Sequence, residues 1–402
     1  MSHLSTIQTV AAAQCIDAPN LDALRQAVRQ CADTNTPIAD YGDFHHGLGH
    51  APPANHARIQ QTGRIVEHYV SDLTIRAAAA TPFTEISNAL AAQNQWLPVD
   101  GIDPAMTLGE AVAHNAYGPL SAGFGAWRDL LLGLRYIDDA GDQITVGGRT
   151  VKNVAGYDVT KLMVGNLNTL GLITELTLRT YAVPKQITHI TIQPLCPRTF
   201  DQHATALLTS DAAPISLDFQ FPNAGRPTVH MGYAGSPRAC DAHVDALKHW
   251  LTNIGRDTAD IARHDGPLTD LTSRLTDQHQ ALANAAALVK LVVPAANFGA
   301  TIHNIRNAGI PAHHVNAMPT QDVIYFAGDW DVDQAQHLDQ SITAAVRQVG
   351  GFRVWHRRPD DTPTIPPCAP PQEDWALLAQ IKNAMDPRQL FNPDRLSVTD
   401  PA

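Results

Sequence analysis

One stretch, residues 151–180, reads VKNVAGYDVTKLMVGNLNTLGLITELTLRT and carries more local structural instruction than any comparable part of the sequence. Asp158 stands where it would cap a short helix over 158–163, and Gly165 stands where that helix would end. Asn168-Thr169-Leu170-Gly171 predicts a tight turn into a strand. That strand would place Leu172, Thr174, Leu176 and Leu178 on one face and Ile173, Glu175, Thr177 and Arg179 on the other. A glycine here has two readings: it supplies dihedrals for an ordinary helix-to-strand turn, or it removes the Cβ that would hold a ligand away from backbone N–H groups.

A chain of 402 residues is long enough for two or three such units, each with its own core. Hydrophobic content of 44% and charged content of 17% describe an ordinary folded protein rather than a disordered one. A net charge of −11, with no basic run, gives no general attraction for nucleic acid or anionic lipid. Cys15, Cys31, Cys196, Cys240 and Cys368 are scattered, without the CxxC spacing of a zinc or iron–sulfur site, and read as isolated thiols in a reducing compartment. The N-terminus lacks the pattern of a signal peptide and no apolar run approaches membrane-spanning length, so the expected location is cytoplasmic, with peripheral attachment through partners left open.

Taken in order, the spacing predicts a helix over 20–32, a short strand at Pro37-Ile38-Ala39, and a polar loop over 40–50. Two strands follow at 64–69 and 73–77, then a helix over 82–94 with Thr81 as its cap. Small residues dominate 106–119, which would let backbone lie close to something flat, and 130–137 reads as a buried strand turning into a partner through 139–142. Beyond Pro184, strands at 187–192 and 215–221 and a helix over 238–254 precede strand 288–293, helix 296–308, strands 313–317 and 323–327, helix 333–349 and strand 352–355. That order, βαββαβ, is the ferredoxin-like split unit. A proline-rich linker over 359–371 leads to a helix over 374–385 whose Trp375, Leu378, Ile381 and Met385 form one apolar stripe for docking the tail on the body.

Four ordered segments carry a family resemblance: Thr107-Leu108-Gly109-x-x-Val112-Ala113-x-Asn115-x-x-Gly118, Trp127-Arg128-Asp129-x-x-Leu132-Gly133, Val151-Lys152-Asn153-Val154-Ala155-Gly156-Tyr157-Asp158, and Gly165-x-x-x-Thr169-Leu170-Gly171-Leu172-Ile173-Thr174. The sequence resembles FAD-linked oxidases with the p-cresol methylhydroxylase-type fold. Its Lys-Asn-Val-Ala-Gly-Tyr-Asp form and its tail Met385-Asp386-Pro387-x-x-x-Phe391-Asn392-Pro393-x-Arg395-Leu396 are most similar to the E subunit of bacterial glycolate oxidase. The resemblance implies an α+β chain: a two-lobed FAD-binding domain over 1–185, a ferredoxin-like α+β cap domain over 186–356, and a linker with a packed C-terminal tail over 357–402. FAD would be held by Gly42 in the pyrophosphate loop, by Pro98, by the segment containing Thr107, Leu108, Gly109, Val112, Ala113, Asn115 and Gly118, and by Gly165, Thr169, Gly171, Leu172 and Ile173. The implied function is oxidation of a small 2-hydroxy acid in a complex with a catalytic flavoprotein subunit and an iron–sulfur subunit.

Several residues depart from the family pattern. Asp40, Tyr41 and Asp43 surround Gly42 where consecutive glycines are usual, and carboxylates there repel a diphosphate. Glu110, His114 and Asn168 stand where glycine or another small residue is common. These departures support an alternative, a non-catalytic assembly subunit with a degenerate flavin site. His45, His46, His50 and His56 match no compact metal-ligand set and read as a polar surface loop, with metal binding or a covalent flavin link as the weaker readings. Arg128 and Asp129 read as a structural ion pair or a functional pair, and no catalytic base is identifiable.

Overall fold

The computed structural model describes residues 14–39, 55–102, 106–149, 158–192, 206–222, 227–255, 261–306, 314–359, 365–366, 368–393 and 395. The chain begins with β1 (Gln14–Ala18), α1 (Leu21–Asp33) and β2 (Ala57–Gln61), with β1 and β2 parallel. Asn20 starts α1 because its side chain accepts from the Ala23 N–H at 3.0 Å. The apolar face of α1, with Leu24, Val28 and Cys31, packs against Ile59, Ile137, Leu172, Leu390 and Phe391.

Next come β3 (Ile65–Tyr69), β4 (Thr74–Ala78), α2 (Phe83–Ala91), β5 (Gln95–Trp96), α3 (Leu108–Ala113), α4 (Ser121–Phe124) and α5 (Trp127–Leu130). β6 (Leu131–Ile137), β7 (Gln143–Gly147), α6 (Val159–Met163), β8 (Leu172–Arg179) and β9 (Tyr181–Ala182) complete this half. β3-β4-β8-β6-β7 form an antiparallel sheet in that order. β8 lies in its middle, which is why both of its faces are buried and the expected simple alternation does not separate core from solvent. Leu172 belongs to the core around α1, while Ile173, Leu176 and Leu178 belong to the core around α3.

Three expected local roles differ. Thr81 does not cap α2: its hydroxyl accepts from the Arg64 N–H at 2.8 Å and donates to the Arg64 carbonyl at 2.9 Å, tying β3 to the helix entry. Asp158 caps no N–H of α6, because it accepts the hydroxyl of Thr160 instead. Asp129 closes the turn of α5 by accepting from the Ala126 N–H at 3.0 Å, rather than holding two strands through Arg128. Gly165 follows α6 with φ +77°, as its helix-ending role requires.

The second half is built on β10 (Gln186–Ile192), β11 (Ser216–Pro222), β12 (Thr228–Gly235), α7 (Pro237–Asn253), β13 (Ile261–Gly266) and α8 (Leu268–Ala283). It continues with β14 (Ala287–Val292), α9 (Phe298–Arg306), β15 (His314–Met318), β16 (Val323–Gly328), α10 (Val332–Gln348) and β17 (Phe352–Arg357), followed by β18 (Cys368–Ala369). One sheet runs β13-β10-β12-β11-β15-β16-β14-β17-β18. The order β15-β16-β14-β17 is that of the expected split unit. The order β13-β10-β12-β11 repeats it, a duplication that the sequence reading missed because it saw only separate strands. α7, α9 and α10 pack on one face of this sheet. α8 lies on the other, where its Leu271 and Leu275 meet Trp96 and Leu120 of the first half.

The C-terminal helix α11 (Trp375–Met385) joins the halves. Trp375 meets the Phe352 ring edge-on at 6.4 Å, while Ile381 and Met385 pack on the core around α3. The expected apolar stripe is therefore broken, with Leu378 at 38% exposure and Leu377 at 56%. Behind the helix, Lys382 Nζ donates to Thr169 O at 2.7 Å, to Phe391 O at 2.9 Å and to the Asp386 carboxylate. Asn392 Nδ2 donates to Leu167 O at 3.1 Å and Asn168 O at 3.0 Å. The tail motif is a clasp on the 165–171 turn.

Candidate functional site

Where the two halves meet, a cavity opens between the loop after α3 and the β14–β17 face of the large sheet. α3 owes its start to a capping box: the Thr107 hydroxyl accepts from the Glu110 N–H at 3.3 Å, and the Glu110 carboxylate accepts from the Thr107 N–H at 2.8 Å. Leu108, Val112 and Ala113 are buried in the core of the first half. Gly109 donates its N–H to Ala79 O at 2.7 Å, and a Cβ on it would lie 2.8 Å from Ala79 Cβ. The small residues of this segment thus serve helix packing. Its last members, Asn115 with φ +47° and Gly118, leave the helix and line the cavity.

The other expected cofactor residues divide. Gly165 abuts Asn115, since its N–H donates to Val112 O at 3.0 Å and a Cβ on it would lie 3.4 Å from Asn115 Cβ. Thr169 is buried under Lys382. Gly171, with φ +148°, faces Tyr136 and Ile137 inside the first half, and Leu172 and Ile173 follow it into the sheet. None of Thr169, Gly171, Leu172 and Ile173 lines the cavity. Pro98 is buried just ahead of Asp100, which does line it. Gly42, the departures Asp40, Tyr41 and Asp43, and His45, His46 and His50 lie outside the described residues.

The cavity holds ionisable groups under strong desolvation. Asp100 Oδ1 accepts from the Leu120 N–H at 3.1 Å, its Oδ2 has no partner among the described residues, and burial pushes its pKa up to about 7. His114 bonds through Nδ1 to Glu110 O at 2.8 Å and meets Arg395 Nη2 at 3.5 Å through Nε2. Burial, then the Arg395 charge, pull its pKa down to about 4, so the ring is neutral at physiological pH. Burial pushes Tyr117 up to about 12, with Asp322 adding to the shift. Lys290 reaches the cavity from the middle of β14, where protein surrounds it although cavity space still touches its side chain. Burial pulls its pKa down to about 8, so it stays charged at neutral pH, with its ammonium 5.5 Å from the Tyr117 ring centroid.

His356 sits at a β-bulge between β14 and β17 and meets the Tyr325 ring edge-on at 5.9 Å. Burial first, then the charge of Lys290, hold it down to about 3. Sequence reasoning missed Asp100, Lys290, Asn316, Tyr325 and His356. The one available signal was Lys290, a cation within an otherwise apolar strand run, Ala-Leu-Val-Lys-Leu-Val.

The first half, on one side of this cavity, matches a known domain family. Residues 13–147 match the FAD binding domain family. That match lies within the first half of the chain and identifies an FAD binding domain there.

Its relatives include the glycolate oxidase subunit GlcE of Escherichia coli strain K12, 33% identical over 40% of this chain and 47% of that protein. The mitochondrial cytochrome D-lactate dehydrogenase of Arabidopsis thaliana is 28% identical over 41% of this chain and 29% of that protein. The glycolate oxidase subunit GlcD of Bacillus subtilis strain 168 is 26% identical over 54% of this chain and 47% of that protein. The chain thus spans less than half the length of these curated relatives. Among solved structures, an alkyldihydroxyacetonephosphate synthase superposes with a TM-score of 0.68 at 16% identity, over 94% of this chain and 76% of that one. A chitooligosaccharide oxidase does so with a TM-score of 0.66 at 14% identity, over 97% and 92%, and at such identities the likeness establishes the fold.

FAD is the cofactor this domain takes. The described wall fits it at Asn115 and Gly118, which stand together on the cavity, where Asn115 Oδ1 is a buried acceptor without a protein partner among the described residues. Among the described residues no helix is long and apolar enough to cross a membrane, and no cluster of three metal-ligating side chains occurs.

Proposed function

We propose that this chain is an FAD-dependent oxidoreductase subunit, similar to the E subunit of glycolate oxidase, that oxidises or supports oxidation of a small 2-hydroxy acid in the cavity between its halves. The observation that carries this reading is the set of unpartnered buried polar atoms around that cavity, inside a chain with an FAD binding domain. An apolar cavity with a few convergent polar groups is the usual form of a small-molecule site. FAD supplies the two-electron acceptor; the protein supplies position and charge. Asn115 and Gly118, with Gly165 behind them, would hold the cofactor, and the Arg395–His114 pair would place positive charge at that wall.

The scattered cysteines offer no electron path of their own, so electrons leave through a partner: a catalytic flavoprotein subunit and an iron–sulfur subunit, related to the proteins named for glycolate oxidase. This complex would be cytoplasmic and reach a membrane only through partners. The competing reading, an assembly subunit with a degenerate flavin site, rested partly on Glu110, whose carboxylate is used to cap α3. The test is the visible absorbance of the purified chain before and after adding FAD, then anaerobic addition of glycolate or D-lactate. A flavin spectrum bleached by one of these acids is expected. A colourless chain that takes up no FAD overturns the enzyme reading in favour of the assembly subunit.

A further inference from the structure

The cavity is polarised, and its polarity matches the two ends of one ligand class. Lys290 of β14 and Asn316 of β15 both pair with Tyr325 of β16, so the three side chains form one row across three adjacent strands. Directly paired residues in an antiparallel sheet point to the same face, about 5 Å apart from strand to strand. This row lines the cavity. It can present three donors to a ligand: an amide N–H, a phenol O–H and an ammonium. Among the described residues Asn316 Nδ2 is buried and unpartnered, and the Lys290 ammonium faces the Tyr117 ring, 5.5 Å from its centroid.

Across the space, the loop after α3 and the segment before it present the converse. Asp100 Oδ2 and Asn115 Oδ1 are buried acceptors without a donor among the described residues. Each such atom costs free energy while unpaired, on the order of 1–3 kcal/mol, so a ligand that satisfies both walls gains from both. Water also has donors and acceptors but cannot neutralise an enclosed ammonium.

We infer that the Asn316–Tyr325–Lys290 row is a carboxylate-binding subsite, and that Asp100 receives a hydroxyl group at the other end of the same small ligand. This rests on the proposed 2-hydroxy-acid reading and deepens it by assigning the acid's orientation: carboxylate to the large sheet, hydroxyl to the first half. A charged donor and a flat row of neutral donors suit a planar carboxylate, which accepts several hydrogen bonds at once. Lys290 remains an ammonium at neutral pH, as the subsite requires. Asp100, poised near neutrality, is able to accept from a hydroxyl when ionised.

Calorimetric titration of the full chain, kept anaerobic so that glycolate can reduce the flavin once at most, with glycolate, its uncharged amide glycolamide, and acetate tests the assignment. Glycolate is expected to bind tightest. Lys290→Met should weaken glycolate by at least about tenfold, the size of one lost charge-assisted hydrogen bond, and leave glycolamide unchanged; Lys290→Arg should restore most of the loss. Asp100→Asn should weaken glycolate and glycolamide but spare acetate, which has no hydroxyl. Melting curves and bound FAD should match those of the unaltered chain in each variant. If Lys290→Met binds glycolate as the unaltered chain does, or if glycolamide binds as tightly as glycolate, the carboxylate subsite is refuted. Binding of glycolate without bleaching of the flavin refutes the oxidation reading and leaves the subsite standing.

Discussion

Glu110 shows why a residue's departure from a pattern must be read with its neighbours. In sequence it places a carboxylate where glycine is common. In the fold that carboxylate accepts from both the N–H and the hydroxyl of Thr107, each at 2.8 Å. Glu110→Ala is therefore expected to cost about 1 kcal/mol in chemical denaturation, through the lost cap, and to leave FAD content unchanged. A loss of FAD with unchanged stability would instead make Glu110 part of the cofactor wall. Lys382 carries more. Its ammonium has three acceptors behind α11, and Asp386, wholly buried, also takes the N–H groups of Leu390 at 2.9 Å and Phe391 at 2.8 Å. Lys382→Met strands that carboxylate and is expected to cost about 3–5 kcal/mol, read as a fall in the denaturation midpoint. A cost under about 1 kcal/mol would mean that the clasp is carried by Asn392 and the apolar tail instead.

At the scale of elements, what was legible in the sequence is what short-range periodicity and caps encode. The spacing of Leu24, Val28 and Cys31 placed α1, and Gly165 placed the end of α6. Gly171 was less legible, because a glycine that serves a ligand and one that serves packing look alike. Here a Cβ would stand 2.7 Å from Tyr136 Cδ2 and 2.9 Å from Ile137 O, at φ +148°. Its bareness serves the junction of β6 with β8. Gly171→Ala should accordingly destabilise the first half by about 1–3 kcal/mol through overpacking. Limited proteolysis should show the loss there, with cleavage of the large sheet unchanged. Were the alanine variant as stable as its parent but unable to hold FAD, the turn would be a cofactor contact after all. α3 misled for a related reason: its small residues pack against Ala79 and the sheet, so only the residues beyond its C-terminal end reach the cavity.

For the whole molecule, the missed residues share one cause. Lys290, Tyr325 and His356 belong to strands whose far face looks at the other half of the chain, and no local pattern records what lies across a cavity. Their burial nevertheless has a measurable consequence. His114 and His189 are held down to about 4 and His356 to about 3, chiefly by burial, with His230 shifted in the same direction. A depressed folded pKa means that the unfolded chain binds more protons between that value and about 6.5, the ordinary histidine value. The stability these neutral rings contribute is complete above about pH 6.5 and is lost as pH falls toward 4. Asp100, raised to about 7, and Asp139, also raised, act in the opposite sense, since each favours the folded state as pH falls through that range. Among the described residues four histidines are lowered against two carboxylates raised, so the net effect is acid destabilisation. The urea midpoint should fall steadily from pH 6.5 to pH 4, and His356→Gln should flatten that slope by removing one of the protons taken up on unfolding. A midpoint that stays level or rises over this interval would show that the cavity admits enough water to ionise its histidines without loss of the fold.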